Sequence, residues 1–151
     1  MFNLLLISIS LPKPISTDPA QTYIGQVLVS VNPCCFVDIY NEEYIKQYQN
    51  VNFYELPPHI YAMADTMYRA MKQESRDQAC LISGESGSGK TEASKKILIQ
   101  LSAITQKSAK INRIKEKLLN SNPILEAFGN CCTSKNDNSS RFVSFVKHTR
   151  E

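Results

Sequence analysis

The run Gly84-Glu85-Ser86-Gly87-Ser88-Gly89-Lys90-Thr91 places glycine at its first and sixth positions and follows it with lysine and threonine, the spacing of a phosphate-cradling loop. Its glycines let the backbone curl so that N–H groups converge on one point. If a helix starts directly behind them, its dipole adds roughly half a positive charge at that point. Lys90 supplies a full charge suited to β- and γ-phosphates, and the Thr91 hydroxyl is a hard oxygen ligand for Mg²⁺. The chemistry implied is the seating of a nucleoside triphosphate, with ATP and Mg²⁺ as the expected ligands.

Such a loop works only between a strand and a helix, and the flanking residues predict both. Gln78-Ala79-Cys80-Leu81-Ile82-Ser83 is short, mostly apolar and strand-like, while Glu92 to Ile104 carries apolar residues at helical spacing. Further upstream, Tyr23 to Val31 is β-branched and aromatic enough for one strand, which Asn32-Pro33 ends. Asn41 is placed to cap a short helix reaching Tyr48. Pro57-Pro58 introduces a longer helix that carries Ile60, Met63, Ala64, Met67 and Met71 on one face, a methionine stripe read as packing. His59, directly after the two prolines, is expected at the surface or as a cap. Downstream, Ile111 to Leu119 is helical in pattern, Asn122-Pro123 starts another helix that Gly129 ends, and Phe142 to Val146 closes the sequence as a strand. The polar run Asn136-Asp137-Asn138-Ser139-Ser140-Arg141 reads as a loop by composition. Beside a phosphate loop, its small amides and hydroxyls suit a γ-phosphate, a metal ion and an attacking water.

Composition sets the class. The 151 residues suit one domain, and a net charge of +3 with dispersed basic residues argues against a nucleic-acid partner. Lys107, Lys110, Arg113, Lys115 and Lys117 alternate with apolar residues and read as the solvated face of an amphipathic helix. The five cysteines fit neither a disulfide framework nor a C-x-x-C metal site, so a reducing compartment is expected. Met1 to Leu11 has the apolar character of a signal peptide but lacks its basic start, and it is too short to span a bilayer. Pro12 to Pro19 reads as an extended lead-in.

The phosphate loop with its following Glu92, the run Asn136 to Phe142 and the segment from Asn32-Pro33 to Tyr40 together closely resemble the myosin motor domain, in family order. Tyr54-Glu55-Leu56-Pro57-Pro58-His59-Ile60-Tyr61-Ala62-Met63-Ala64-Asp65 resembles the unconventional class I members most. The resemblance implies an α/β fold of the P-loop NTPase kind, a partial motor head with an incomplete central sheet and flanking helices. It divides the chain into a divergent lead-in (1–21), a partial motor domain (22–142) and a divergent tail (143–151).

Roles follow from the resemblance. Lys90 neutralises the β- and γ-phosphates within the loop Gly84, Glu85, Ser86, Gly87, Ser88 and Gly89. Thr91 and Ser140 ligate Mg²⁺. Asn136 and Asn138 reach the phosphates or the ribose, and Ser139 lies beside the lytic water as a proton relay. Arg141 pairs with a glutamate of a further element, switch II. Asn32, Pro33 and Tyr40 border the adenine. The implied setting is the cytoplasm and the actin cytoskeleton, with ATP and actin filaments as partners, and no direct membrane contact is expected from this segment.

Two departures qualify this. Val143-Ser144 follow Arg141-Phe142 where the family usually has Gly-Lys, and Ser88 stands where it more often has alanine. The Asp-x-x-Gly pattern of switch II does not occur in this sequence: Gly129 is the only glycine after the loop, and Glu126 stands three before it. Nucleotide binding is therefore the activity expected of these residues alone, and a non-catalytic or regulatory interaction product of an alternative transcript is the competing expectation. A guanine-specific GTPase is disfavoured, since Ser134-Lys135-Asn136-Asp137 only loosely matches N-K-x-D and no D-x-x-G precedes it.

Overall fold

The computed structural model describes residues 4–10, 21–105, 117, 120–121 and 123–141. Its first strand, β1 (Leu4–Ser10), is a short Leu/Ile-rich run. Sequence periodicity cannot separate such a run from other apolar segments, but its composition suits a strand flanked on both sides. Here it lies at the interior of a four-stranded sheet in the order β2-β3-β1-β4, made with β2 (Gln21–Ile24), β3 (Val27–Asn32) and β4 (Cys80–Gly84). β1 runs parallel to both neighbours, pairing Leu6 with Leu28 on one side and with Ile82 on the other. The apolar composition of Leu4–Ser10 thus suits its place inside the sheet.

The single strand expected over Tyr23 to Val31 is two strands. β2 and β3 pair antiparallel, with Ile24 opposite Val27, across a two-residue turn at Gly25-Gln26. Gly25 has φ of 59°, and the first central position of such a turn calls for glycine because only it enters that region without strain. The β-branched composition ran unbroken through the turn and hid it.

Three helices follow: α1 (Glu42–Gln47), α2 (Ile60–Glu74) and α3 (Lys90–Ile104). Asn41 caps α1 as expected, its Oδ1 accepting from Glu43 N and Tyr44 N. The whole first half of α2, Ile60 to Asp65, is buried. With Leu28 of β3, Tyr48 and Ile97 of α3 it forms the core, against which Met67, Cys80, Ile82 and Leu101 also pack. Burial raises the Cys80 thiol to about 11. Asp65 is 0% exposed, and its carboxylate accepts from Arg69 Nε at 2.7 Å and from Asn50 N at 3.1 Å.

One face of the sheet therefore lies under helices. Side chains alternate along each strand, and the register puts Ile9, Ile24 and Leu81 together on the other face, where they are 37%, 66% and 43% exposed. Residues 120–121 and 123–129 are helical, so helical residues precede the start expected at Asn122-Pro123, and Gly129 is the last of them. The expected loop at Asn136 to Arg141 is mostly strand: β5 (Asn130–Thr133) and β6 (Asn136–Ser140) form an antiparallel hairpin with an irregularity between Cys131 and Thr133. Short polar side chains are poor strand formers, but here they bond to one another across and along the hairpin, as in Asn130 Nδ2 to Asn138 Oδ1 at 2.8 Å. The expected helix at 111–119 and strand at 142–146 fall outside the described residues except Lys117, which is helical and exposed.

His59 is a cap, but not a surface residue: it is 2% exposed. Its Nδ1 accepts from Tyr61 N at 3.0 Å at the start of α2, so its Nε2 carries the proton and donates to Ile39 O at 2.9 Å. Tyr48 stacks on the ring at 4.5 Å between centroids. Burial lowers its pKa from 6.5 to about 4, against the opposing pull of the Ile39 carbonyl.

Two predictions follow from this packing. A Cβ at Gly84 meets the backbone oxygen of Ser8 at 2.1 Å and Ser88 Oγ at 2.6 Å. Gly84→Ala should therefore lower the urea midpoint, by about 1–3 kcal/mol in stability, whereas Ser83→Ala at the neighbouring exposed position should not. For His59, the unfolded chain binds more protons than the folded one between pH 6.5 and 4, so stability is full above 6.5 and falls through that window, by about 3 kcal/mol at most. Melting temperatures of the wild type and of His59→Asn, a cap that does not titrate, should converge as the pH drops. Parallel pH profiles would refute the buried neutral imidazole.

Candidate functional site

The site begins where β4 ends. From Gly84 the chain turns through Gly87 and Gly89, with φ of 81° and 92°, directly into α3 at Lys90. Strand, loop and helix thus follow in the order the sequence predicts. Asn41 caps α1 and His59 caps α2, but no side chain caps the start of α3. The first backbone acceptor used within that helix is Gly89 O, bonded by Ala93 N at 2.9 Å. The N–H groups before Ala93 have no acceptor inside the helix, and they point the way the helix dipole does.

The loop is held from several directions. Ser88 Oγ donates to Glu85 O at 2.8 Å, closing the turn from within. From the end of β3, Asn32 Nδ2 donates to Gly87 O at 2.9 Å, while its Oδ1 accepts from Cys34 N. From β1, the buried Ser8 hydroxyl donates to Ser88 O at 2.5 Å. Lys90 Nζ donates to Gly84 O at 2.7 Å and to Glu85 O at 2.6 Å, which aims the ammonium back over the loop and leaves it a third proton.

The β5–β6 hairpin crosses the loop. Ser139 is buried, and its Oγ lies 2.8 Å from Ser86 Oγ; Thr133 Oγ1 is 3.4 Å from the same atom. Lys135 and Glu85 form an ion pair at 2.9 Å, but both side chains are largely exposed. An exposed pair is worth about 0–1 kcal/mol, so the buried hydroxyl contact sets the hairpin's position more firmly.

Between loop, α3 and hairpin lies a cavity of about 300 Å³ lined by Lys90, Thr91, Asn136, Asn138, Ser139 and Ser140, among others. A second cavity of about 460 Å³ lies on the other side of Asn32 and is lined by Pro33, Phe36, Val37, Tyr40 and Lys96. Asn32, Gly89 and Glu92 line both, so the two are neighbours across the loop. The first is polar and the second more apolar. Tyr40 accepts from Gln21 Nε2 at 3.0 Å and carries Lys96 Nζ 4.8 Å from its ring centre; its pKa is raised by burial.

The structure thus gathers Asn32, Pro33, Tyr40, the loop, Thr91, Asn136, Asn138, Ser139 and Ser140 around two adjoining cavities. Arg141 lies beyond the end of β6, exposed, and its N–H donates to Gly129 O at 2.9 Å. Several contributors escaped the sequence reading. Glu126 lines the polar cavity, accepts from Asn138 Nδ2 at 3.1 Å and lies 3.7 Å from Lys95. Lys95 also bonds Glu92 at 2.9 Å, and that hydrogen bond chiefly raises its pKa. Helical spacing marks all three as ordinary surface charges, and only the approach of the 123–129 helix to α3 brings them together. Ser8 carried no signal at all.

The chain matches the profile of the myosin head (motor domain) family over residues 10–149. It is 52% identical over 137 residues to unconventional myosin IC of Drosophila melanogaster, covering 91% of this chain and 13% of that protein. It is 50% identical over 137 residues to unconventional myosin-Ib of Homo sapiens, covering 91% and 12%, and 56% identical over 125 residues to unconventional myosin-Ic of Danio rerio, covering 83% and 12%. The chain therefore spans only 12–13% of the length of these curated relatives. With a match across nearly its whole length, this chain belongs to the myosin head (motor domain) family.

Proposed function

We propose that this segment binds ATP with Mg²⁺ and is the nucleotide-binding part of an actin-based motor that couples ATP hydrolysis to movement along filaments. The observation that carries the reading is the uncapped start of α3 facing a glycine loop, with the hydroxyl-rich hairpin laid across it. A chain that caps α1 and α2 with side chains leaves α3 for an external anion. In this reading the fold is part of a P-loop NTPase head, the triphosphate lies in the polar cavity and the base in the apolar one.

The residues then divide the work. Lys90 turns its free proton to the β- and γ-phosphates, and the loop's N–H groups surround them. Thr91 and Ser140 offer hydroxyl oxygens from opposite walls of the cavity and hold Mg²⁺. They fit that ion, which takes few protein ligands and keeps several waters. When bound, Mg²⁺ offsets phosphate charge. Asn136 and Asn138 bond the phosphates or the ribose, and Ser139 orients the lytic water and passes its proton. Asn32, Pro33 and Tyr40 border the adenine, where packing rather than hydrogen bonding holds the ring. Arg141 meets a glutamate of switch II. The setting proposed is the cytoplasmic actin cytoskeleton, and no helix among the described residues is long and apolar enough to cross a membrane.

Titration of the purified chain with a fluorescent ATP analogue tests this. Saturable, Mg²⁺-dependent binding is expected, with a loss of roughly 100-fold in Lys90→Ala, the scale of a charge-assisted contact in a partly desolvated seat. Equal affinity in wild type and variant, or binding indifferent to Mg²⁺, refutes the reading. Lys135→Ala should weaken binding less than about threefold, and the residual effect should vanish in high salt.

A further inference from the structure

We infer that Ser8, which precedes the family match, is a positioning residue of the phosphate seat: its hydroxyl fixes the Ser88–Gly89 peptide so that the Gly89 N–H faces the ligand. The family match begins at residue 10, and β1 spans Leu4–Ser10, so nothing in the comparisons assigns Ser8 a role. Yet β1 lies between β3 and β4, which brings it under the loop.

Three observations place Ser8 there. It is 4% exposed, and its hydroxyl donates to Ser88 O at 2.5 Å, 80 residues away in sequence. Its backbone oxygen packs so closely on Gly84 that only a residue without Cβ fits. It also lines the cavity that contains Asn32, Ser88 and Gly89.

The consequence is stereochemical. A trans peptide is planar, with its C=O and the following N–H pointing in opposite directions. Anchoring Ser88 O to β1 therefore turns the Gly89 N–H away from the sheet, and Gly89 lines both cavities. Ser88 is held at its other end by Oγ donating to Glu85 O, so the peptide has little freedom once both bonds are made. Without the Ser8 hydroxyl, Ser88 O is left buried and unpaired, and rotation of the peptide toward other donors costs the seat an aligned N–H. Ser8 acts through the loop and need not touch the ligand.

This inference rests on the loop being a phosphate seat, and the test separates the two. The full chain, with Ser8→Ala, Ser8→Cys and Lys90→Ala variants, is titrated with Mg²⁺-pyrophosphate, which probes the seat alone, and with adenosine, which probes the base cavity alone. Cysteine keeps the volume but donates weakly, so a folded variant is available if alanine destabilises the sheet. Pyrophosphate affinity is expected to fall about 5- to 10-fold in Ser8→Ala and less in Ser8→Cys, with a smaller loss for adenosine, whose cavity Ser8 only borders. Unchanged pyrophosphate binding in both Ser8 variants, while Lys90→Ala loses it, overturns the role of Ser8 and leaves the seat intact. Equal losses for pyrophosphate and adenosine overturn it too, because they mark a general loosening of the fold. Failure of the wild type to bind pyrophosphate overturns the nucleotide reading and the positioning role with it.

Discussion

Backbone N–H groups at the start of a helix have no acceptor inside it, and most of this architecture can be understood from how that deficit is treated at α3. At α1 and α2 a side chain repairs it locally. At α3 the cap position is Gly89, which has no side chain to offer, and the surrounding elements hold the loop in shape instead. Asn32 from β3, Ser8 from β1 and Ser86–Ser139 from the hairpin each fix a different part of it. The loop thus ties the sheet, the hairpin and α3 together at the site, while the sheet and α3 also meet in the core through Leu28 and Ile97.

What could be read in the sequence divides along the same line. Features fixed by local chemistry were legible: the glycine loop, the caps at Asn41 and His59, the proline-led start of α2 and the end of β3 at Asn32. Features fixed by long-range pairing were not. The turn at Gly25 was concealed by β-branched residues on both sides, and β6 by a composition that disfavours strands until its partners are in place. Burial of His59 follows from Tyr40, and from Tyr44 and Tyr48 at α1, closing over a ring that its own helix flanks with Tyr61, which no single window reveals. For the site itself, residue types announced themselves where the chemistry is distinctive, as at Lys90 and Thr91. A serine, a glutamate and a lysine at unremarkable spacing did not.

The aromatic cluster around His59 has a bearing on the loop, although it lies apart from it. Tyr61 donates its hydroxyl to Tyr40 O, and Tyr40 lines the apolar cavity under Lys96. Burial raises Tyr61 to about 12 and keeps its proton in place at neutral pH. The wall of that cavity is consequently anchored to α2, the most deeply buried helix, rather than to the exposed segment around Cys34 and Phe36.

The location of β1 also governs the order in which the fold can form. The β2–β3 hairpin closes through a two-residue turn and needs no distant partner. β1 has one neighbour that leaves the ribosome soon after it and another, β4, that follows more than seventy residues later, since Leu4 pairs with Cys80. Long loops close slowly, and a strand inside a parallel sheet cannot satisfy both of its edges until the later one exists. β1 is therefore made well before it can be enclosed, and until β4 arrives it waits with an unpaired edge in which a nascent-chain chaperone has a ready target.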